Sequence, residues 1–227
     1  MKAINLTVLF MFLALTVFSA CDQEEAISDL NEVEFSSDVL NSSEIATVDA
    51  QIQSLECSSD PATLENADAD GLLLMREEEK MAKDVYTVFY HNYKLPVFLN
   101  ISKSETRHTE AVLRLINYFE LEDPALSEDG AFSNPDIQEL YYTLVDMGTD
   151  VISALQTGAY IEEYDIADLK KLLETTTNSD IQKVYTNLLE GSKSHLKAFT
   201  RVLASRKVTY EPQILSVEEY DAIISAK

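Results

Sequence analysis

Glu105 and His108 stand three residues apart, a spacing that stacks a carboxylate and an imidazole on one face of a helix. Both fall inside an apolar stripe formed by Phe98, Ile101, Val112, Leu115 and Phe119. The pattern recurs in three other segments. Glu162 and Asp165 interrupt the stripe Val151, Leu155, Gly158, Leu169, Leu172, and Glu78 lies on the line from Leu74 to Met81, Val85 and Phe89. His195, with Ser192 before it, interrupts Ile181, Tyr185, Leu188, Phe199, Val202. Burying an unpaired carboxylate costs several kcal/mol, so one such placement reads as a slip of register, whereas four call for a common partner. Four carboxylates neutralise two divalent ions, and a mixed oxygen and nitrogen donor set suits iron, with manganese as the alternative. The expected ligands are therefore Glu78, Glu105, His108, Glu162, Asp165 and His195, with no catalytic side chain beyond them, since the metals would carry the chemistry.

Helices contain Glu-x-x-His by chance, and a single inward His is more often a core residue satisfied by a hydrogen bond. Glu77 and Glu79 read as solvated neighbours of Glu78, although a shift of one residue would exchange Glu78 for Glu79, or Glu162 for Glu163. Tyr86, Tyr160, Tyr164 and Tyr185 read as packing residues. The competing account of the whole set is a polar network of carboxylates and His with Arg107 or Lys partners.

The elements that would position these groups are helices. Five Gly and five Pro among 227 residues favour long uninterrupted helices over a turn-rich β fold. A period near 3.5 predicts helices over about 72–92, 96–120, a short one over 135–147, then to about 174, 179–206, and a final short helix capped by Ser216. Asn134-Pro135 reads as a cap followed by a first-turn Pro, and Ser179 to Gln182 as a capping box. The first and third connections are short and the middle one is long. This predicts an all-α domain over 71–207, two antiparallel hairpins joined by a long crossover containing a short helix, with a C-terminal extension over 208–227. That is the connectivity of a ferritin-like four-helix bundle. Counted from the two hairpin turns, the six candidate ligands fall within a turn or two of one level.

Four segments carry a family resemblance: REEEKMAKDVY at 76–86, SETRH at 104–108, GAYIEEYDIAD at 158–168 and GSKSHLKAF at 191–199. They resemble an uncharacterised bacterial ferritin-like domain family, over about 73–202, and the resemblance implies the bundle. Against the wider ferritin and rubrerythrin pattern, the first two helices match with a Glu and a Glu-x-x-His. Glu162-x-x-Asp165 is similar to the paired acids of the rubrerythrin type. The last long helix departs, because Ser192 stands where a Glu would precede the His; the second metal is then one carboxylate short unless Asp165 supplies it. There is no Cys-x-x-Cys pair, so the rubredoxin-type electron relay of rubrerythrins is absent.

The remaining sequence concerns location. Residues 1–20 hold one Lys and an apolar run over 6–18, too short to span a bilayer and typical of a signal peptide. The run ends in Val17-Phe18-Ser19-Ala20-Cys21, which resembles a bacterial lipobox with Cys21 as the lipidated residue; Phe18 departs from the usual Leu. With Cys21 acylated, Cys57 has no partner for a disulfide. Residues 22–70 carry fourteen acids and no base, the composition of a flexible tether, so 21–70 is read as lipidated Cys and acidic tether. Asp22-Gln23-Glu24-Glu25 resembles a signal for display on the outer surface. The formal charge of −23, from 40 acids and 17 bases, excludes nucleic acid as a partner. The membrane, reached through a lipid anchor, is the expected partner; a homodimer is compatible, and the sequence names no protein partner. The expectation is an exported cell-envelope metalloprotein with a dinuclear centre, an iron-dependent oxidase or ferroxidase. The alternative is a non-catalytic surface lipoprotein whose helices bind a protein or envelope component.

Overall fold

A computed structural model describes residues 57, 58, 60, 61 and 64–226. The expected signal peptide, Cys21, the acidic residues that follow it and most of the tether lie outside the described residues. Among the described residues there are six helices and no strand: α1 Asn66–Tyr93, α2 Pro96–Tyr118, α3 Pro135–Met147, α4 Val151–Thr175, α5 Ser179–Ser205 and α6 Val217–Ser225. None is long and apolar enough to cross a membrane.

The boundaries follow local chemistry. α1 begins six residues before the apolar pattern does. Asp68 in its first turn complements the positive helix end, and Gly71 lets it pass α4, since a Cβ there would stand 2.8 Å from Leu172. It ends at Lys94 in the left-handed conformation (φ 56°), whose N–H returns to the Tyr90 carbonyl. Pro96 then opens α2. Asn134 caps α3 by accepting from the Asp136 N–H, and Asp150 and Ser153 form a reciprocal capping box on α4. The box expected at Ser179 to Gln182 is not the one used. Asn178, one residue earlier, holds the cap and accepts from the N–H groups of Asp180 and Ile181. Ser216 and Glu219 form the box that opens α6.

The four long helices pack in a closed ring, α1 against α2, α2 against α5, α5 against α4, and α4 against α1; α3 lies on α1 and α4, and α6 on α5. One end of the core is aromatic, with Tyr86, Phe89, Phe98 and Phe199 all fully buried. Their ring centroids are 5.3 Å (Tyr86–Phe199), 5.4 Å (Phe89–Phe98) and 5.7 Å (Phe98–Phe199) apart, offset or edge-on as ring quadrupoles prefer. Gly158 makes room for this layer, because a Cβ there would meet the Phe199 ring at 2.6 Å.

Buried acids fasten the irregular segments to the helices. Glu77 is not a solvated neighbour. It is 3% exposed and accepts from the backbone N–H groups of Ser133 (2.6 Å) and Asn134 (3.1 Å), tying the crossover to α1. Asp84 accepts from the Gly130 N–H (2.9 Å) and from Lys80 Nζ (2.6 Å), and Lys80 also donates to the carbonyls of Glu128 and Ala131. Arg76 donates two bonds to Asp123 and one to the Thr109 carbonyl. Glu163, fully buried, accepts from the Tyr210 hydroxyl (2.5 Å) and from the N–H groups of Gln213, Ile214 and Leu215. Each of these acids is paired as buried charge requires.

Candidate metal centre

α2 and α5 present their inward stripes as the sequence pattern places them. Every residue from Phe98 through Glu105 and His108 to Phe119 in that stripe is buried, as is every residue from Ile181 through Ser192 and His195 to Val202. α1 differs by one residue. Leu74 is half-buried, whereas Leu72, Met75, Glu79, Ala82, Tyr86 and Phe89 form the continuous buried line. Glu79 is the member of that line at the level of the two His residues, and Glu78 is turned about 100° away, towards α4. The register was hard to read because α1 buries more than one face; Met81, Val85 and Lys80 are also inside.

Two groups of potential ligands result, Glu79 with Glu105 and His108, and Glu105 with Glu162 and His195. In each, one donor atom per residue lies within 4.8 Å of the others. Glu105 belongs to both groups. Its Oε2 is 2.7 Å from His108 Nδ1 and its Oε1 is 2.8 Å from His195 Nδ1, so its two oxygens serve opposite sides. Glu79 Oε2 lies 3.2 Å from His108 Nδ1, and Glu162 Oε2 lies 3.5 Å from His195 Nδ1. The two imidazoles face each other with centroids 5.4 Å apart and planes 23° from parallel. Glu79, Glu105, His108, Glu162 and His195 are at most 2% exposed.

Neighbouring residues hold the donors in place. The Tyr86 hydroxyl donates to Glu162 Oε1 at 2.5 Å and lies 3.3 Å from the Gly158 carbonyl. Ser192 Oγ donates to Asp165 Oδ2, and is itself within 2.9 Å of the Leu188 carbonyl. Gly191 is needed where His108 crosses α5, since a Cβ there would stand 2.7 Å from both Cε1 and Nε2 of the ring. The sequence alone marks Tyr86 as packing and Ser192 as a departure, and has no signal for the close approach at Gly191.

Of the six expected ligands, Glu105, His108, Glu162 and His195 therefore meet in the two groups. Asp165 is bonded to Ser192 and lies close enough to Glu79, Glu162 and Glu105 to feel their charges. Glu78 stands apart from the imidazoles; its electrostatic neighbours are Asp165 and Asp168.

The electrostatics are those of a site with too few cations. Burial pushes Glu79 up, to about 8, with His108 opposing and Glu105 adding to the rise. Burial also raises Asp165 and Glu162, and neighbouring carboxylates add to both. Burial would raise Glu105 as well, but His195 and His108 override it and hold it below the carboxylate range. Burial works to lower the imidazoles; Glu105 and its companions outweigh it, holding His108 well above its ordinary value and His195 at about 10. Two imidazoles do not balance the acids around them, and several donor atoms lack a hydrogen bond. Glu79 Oε1 has none, and neither nitrogen of His195 meets a donor or acceptor in bonding geometry despite the short contacts at Nδ1. Native interiors rarely leave such atoms unsatisfied. Two converging groups of buried oxygen and nitrogen donors, some of them left without a hydrogen bond, have the chemistry of sites that could each hold a metal ion.

Residues 68–227 match the model of the family described as an uncharacterized protein domain, DUF2202. The chain belongs to that family. A protein of Methanocaldococcus jannaschii titled "Uncharacterized protein MJ0754" is 46% identical over 159 residues, covering 69% of this chain and 86% of its own. The crystal structure titled "hypothetical protein MJ0754" from Methanococcus jannaschii is similar with a TM-score of 0.72 and 43% identity, covering 77% of this chain and 98% of that one. This relative is archaeal, whereas the family expected from the sequence was bacterial. The matched residues begin at 68 and include every residue of the site; those of the expected signal peptide and Cys21 are outside the match.

Proposed function

We propose that this protein is a ferritin-like metalloprotein. In this reading the four long helices form the bundle, and a dinuclear centre of iron, or of manganese, is held by Glu79, Glu105, His108, Glu162 and His195, with Asp165 as a further carboxylate. The observation that carries the reading is Glu105, whose two oxygens face two imidazoles on two helices, each accompanied by its own carboxylate. That is the donor layout of a bridging ligand. When bound, such a pair supplies one-electron steps towards dioxygen or peroxide, with Fe(II) as the substrate in a ferroxidase. The chain itself orients the donors. Tyr86 holds Glu162, Ser192 holds Asp165, and the aromatic layer of Phe98 and Phe199 excludes water from that end. The missing Glu before His195 is offset by Asp165, which arrives from α4 and is fixed by the hydroxyl that replaced it. The location proposed is the cell envelope, through a signal peptide and a lipid on Cys21, on the strength of the lipobox-like sequence alone.

A second reading has one observation in its favour. The contacts of 2.7 Å and 2.8 Å between Glu105 and the imidazoles are also those of a self-contained ion-pair network. The chain is then a non-catalytic envelope protein whose helices bind a partner. Elemental analysis of protein purified from iron-supplemented medium separates the two. The metalloprotein reading expects close to two metals per chain, lost in the Glu105→Ala/His108→Ala double variant. Content well below one per chain, unchanged by that substitution, overturns it.

A further inference from the structure

Three carboxylates wind along α4, each turned about 60° from the one before. Glu162, Asp165 and Asp168 follow one another at three-residue intervals, each about 4.5 Å further along the axis than the last. Glu162 is 2% exposed, whereas Asp165 and Asp168 are both half-buried, the Asp168 side chain at 17%. The next step is Lys171, whose side chain is 73% exposed and whose ammonium lies 2.6 Å from Asp168. The series thus runs outwards from the buried Glu162 and ends beside an exposed surface cation.

Glu78 of α1 faces this series. It is 3% exposed, yet neither of its oxygens has a hydrogen-bond partner. Its electrostatic neighbours are Asp165 and Asp168, with Lys171 beyond them. A carboxylate buried without a donor is a costly arrangement that structural acids elsewhere in this chain avoid. Glu77 and Glu163, equally buried, each accept backbone N–H groups. The nearest charges to Glu78 are other acids, with Lys171 further out, which is an arrangement that a passing cation resolves. It holds no other visible task, since neither imidazole is among its neighbours.

We propose that Glu78, Asp165 and Asp168 form the route between α1 and α4 along which divalent cations pass from solvent to the buried centre. The proposal rests on the dinuclear reading above and adds the direction of entry. Asp168 is the outer collecting group, Glu78 exchanges water for carboxylate oxygen midway, and Asp165 and Glu162 are the inner terminus. Lys171 is then a brake, because its charge opposes an approaching cation at the mouth.

The test uses the full chain stripped of metal and cobalt(II) as the probe, followed by stopped-flow visible absorption, with bound cobalt per chain measured at the end. Glu78→Gln and Asp168→Asn are expected to slow uptake by about tenfold or more, with final occupancy unchanged, a loss comparable to removing electrostatic focusing. Lys171→Ala is expected to speed uptake, an effect in the opposite sense that damage to folding does not mimic. Wild-type rates in both Glu78→Gln and Asp168→Asn, at full occupancy, overturn the route and leave the centre standing. Loss of final occupancy in Glu78→Gln, with a native melting profile, makes Glu78 a resident ligand and also overturns the route. Absence of bound cobalt in the wild-type chain at saturation removes the centre itself, and the route with it.

Discussion

Ser192 does at the level of one hydroxyl what a longer acid would do by direct contact. It reaches Asp165 across the gap between α5 and α4 and fixes that carboxylate near Glu79, Glu105 and Glu162. Ser192→Ala removes a hydrogen bond to an ionisable group, worth about 1.5–3 kcal/mol. In the metalloprotein reading it should also lower bound metal from two per chain towards one, measured by elemental analysis beside a thermal melt. Gly191 makes the complementary prediction. Adding a Cβ 2.7 Å from the His108 ring forces that imidazole to move, so Gly191→Ala should destabilise by about 1–3 kcal/mol and weaken cobalt binding. Equal cobalt affinity in the variant and wild type would show that the close approach is only packing.

Helices divide the labour of adjacent acids. Glu77, Glu78 and Glu79 point in three directions because successive residues turn by about 100°: one to the crossover, one to the α4 acids, one to His108. On α4, Glu162 faces the centre while Glu163 clasps residues 210–215. Glu163→Gln should therefore cost about 3 kcal/mol in a denaturant titration, since it removes the charge that four donors share, yet leave metal content unaltered. Glu162→Gln should do the reverse. The helices themselves were legible in the sequence, to within about six residues, because α2, α4 and α5 each carry a clear apolar stripe and α3 to α6 open on capping side chains. Glu105, His108, Glu162 and His195 were legible as ionisable groups within such stripes. The register of α1 was not, because a helix buried on several sides carries no single stripe; it is Glu79, one residue on from Glu78, that meets His108. Nor could periodicity disclose that Glu77 and Glu163 are buried, since their partners are backbone N–H groups of loops far along the chain.

For the molecule as a whole, the buried acids make stability depend on pH in a defined sense. In the metal-free chain Glu79 binds its proton more tightly when folded, near 8 against 4.5, and His195 near 10 against 6.5. A group raised in this way contributes fully below its unfolded value and loses that contribution as pH rises through the folded one. Glu105 is shifted the other way, so its contribution is present above the ordinary carboxylate range and is lost only on acidification. The thermal midpoint of the metal-free chain should accordingly fall between about pH 5 and pH 10. Metal binding requires deprotonated donors and grows stronger over the same interval, so loading should flatten the decline. Melts at a series of pH values, with and without cobalt, check both halves; a metal-free midpoint that rises through this range contradicts them.

The clasp on Glu163 also makes the C-terminal stretch a latch. The carboxylate sits in the middle of α4, but its donors lie some fifty residues later. A chain cut before Tyr210 leaves that carboxylate without the hydroxyl and the three N–H groups that meet it. Truncated chains should report the loss, with those ending before Tyr210 cut readily by protease and those reaching past Ser216 resistant. An acid that takes no part in ligation would then fasten the end of the chain to its middle.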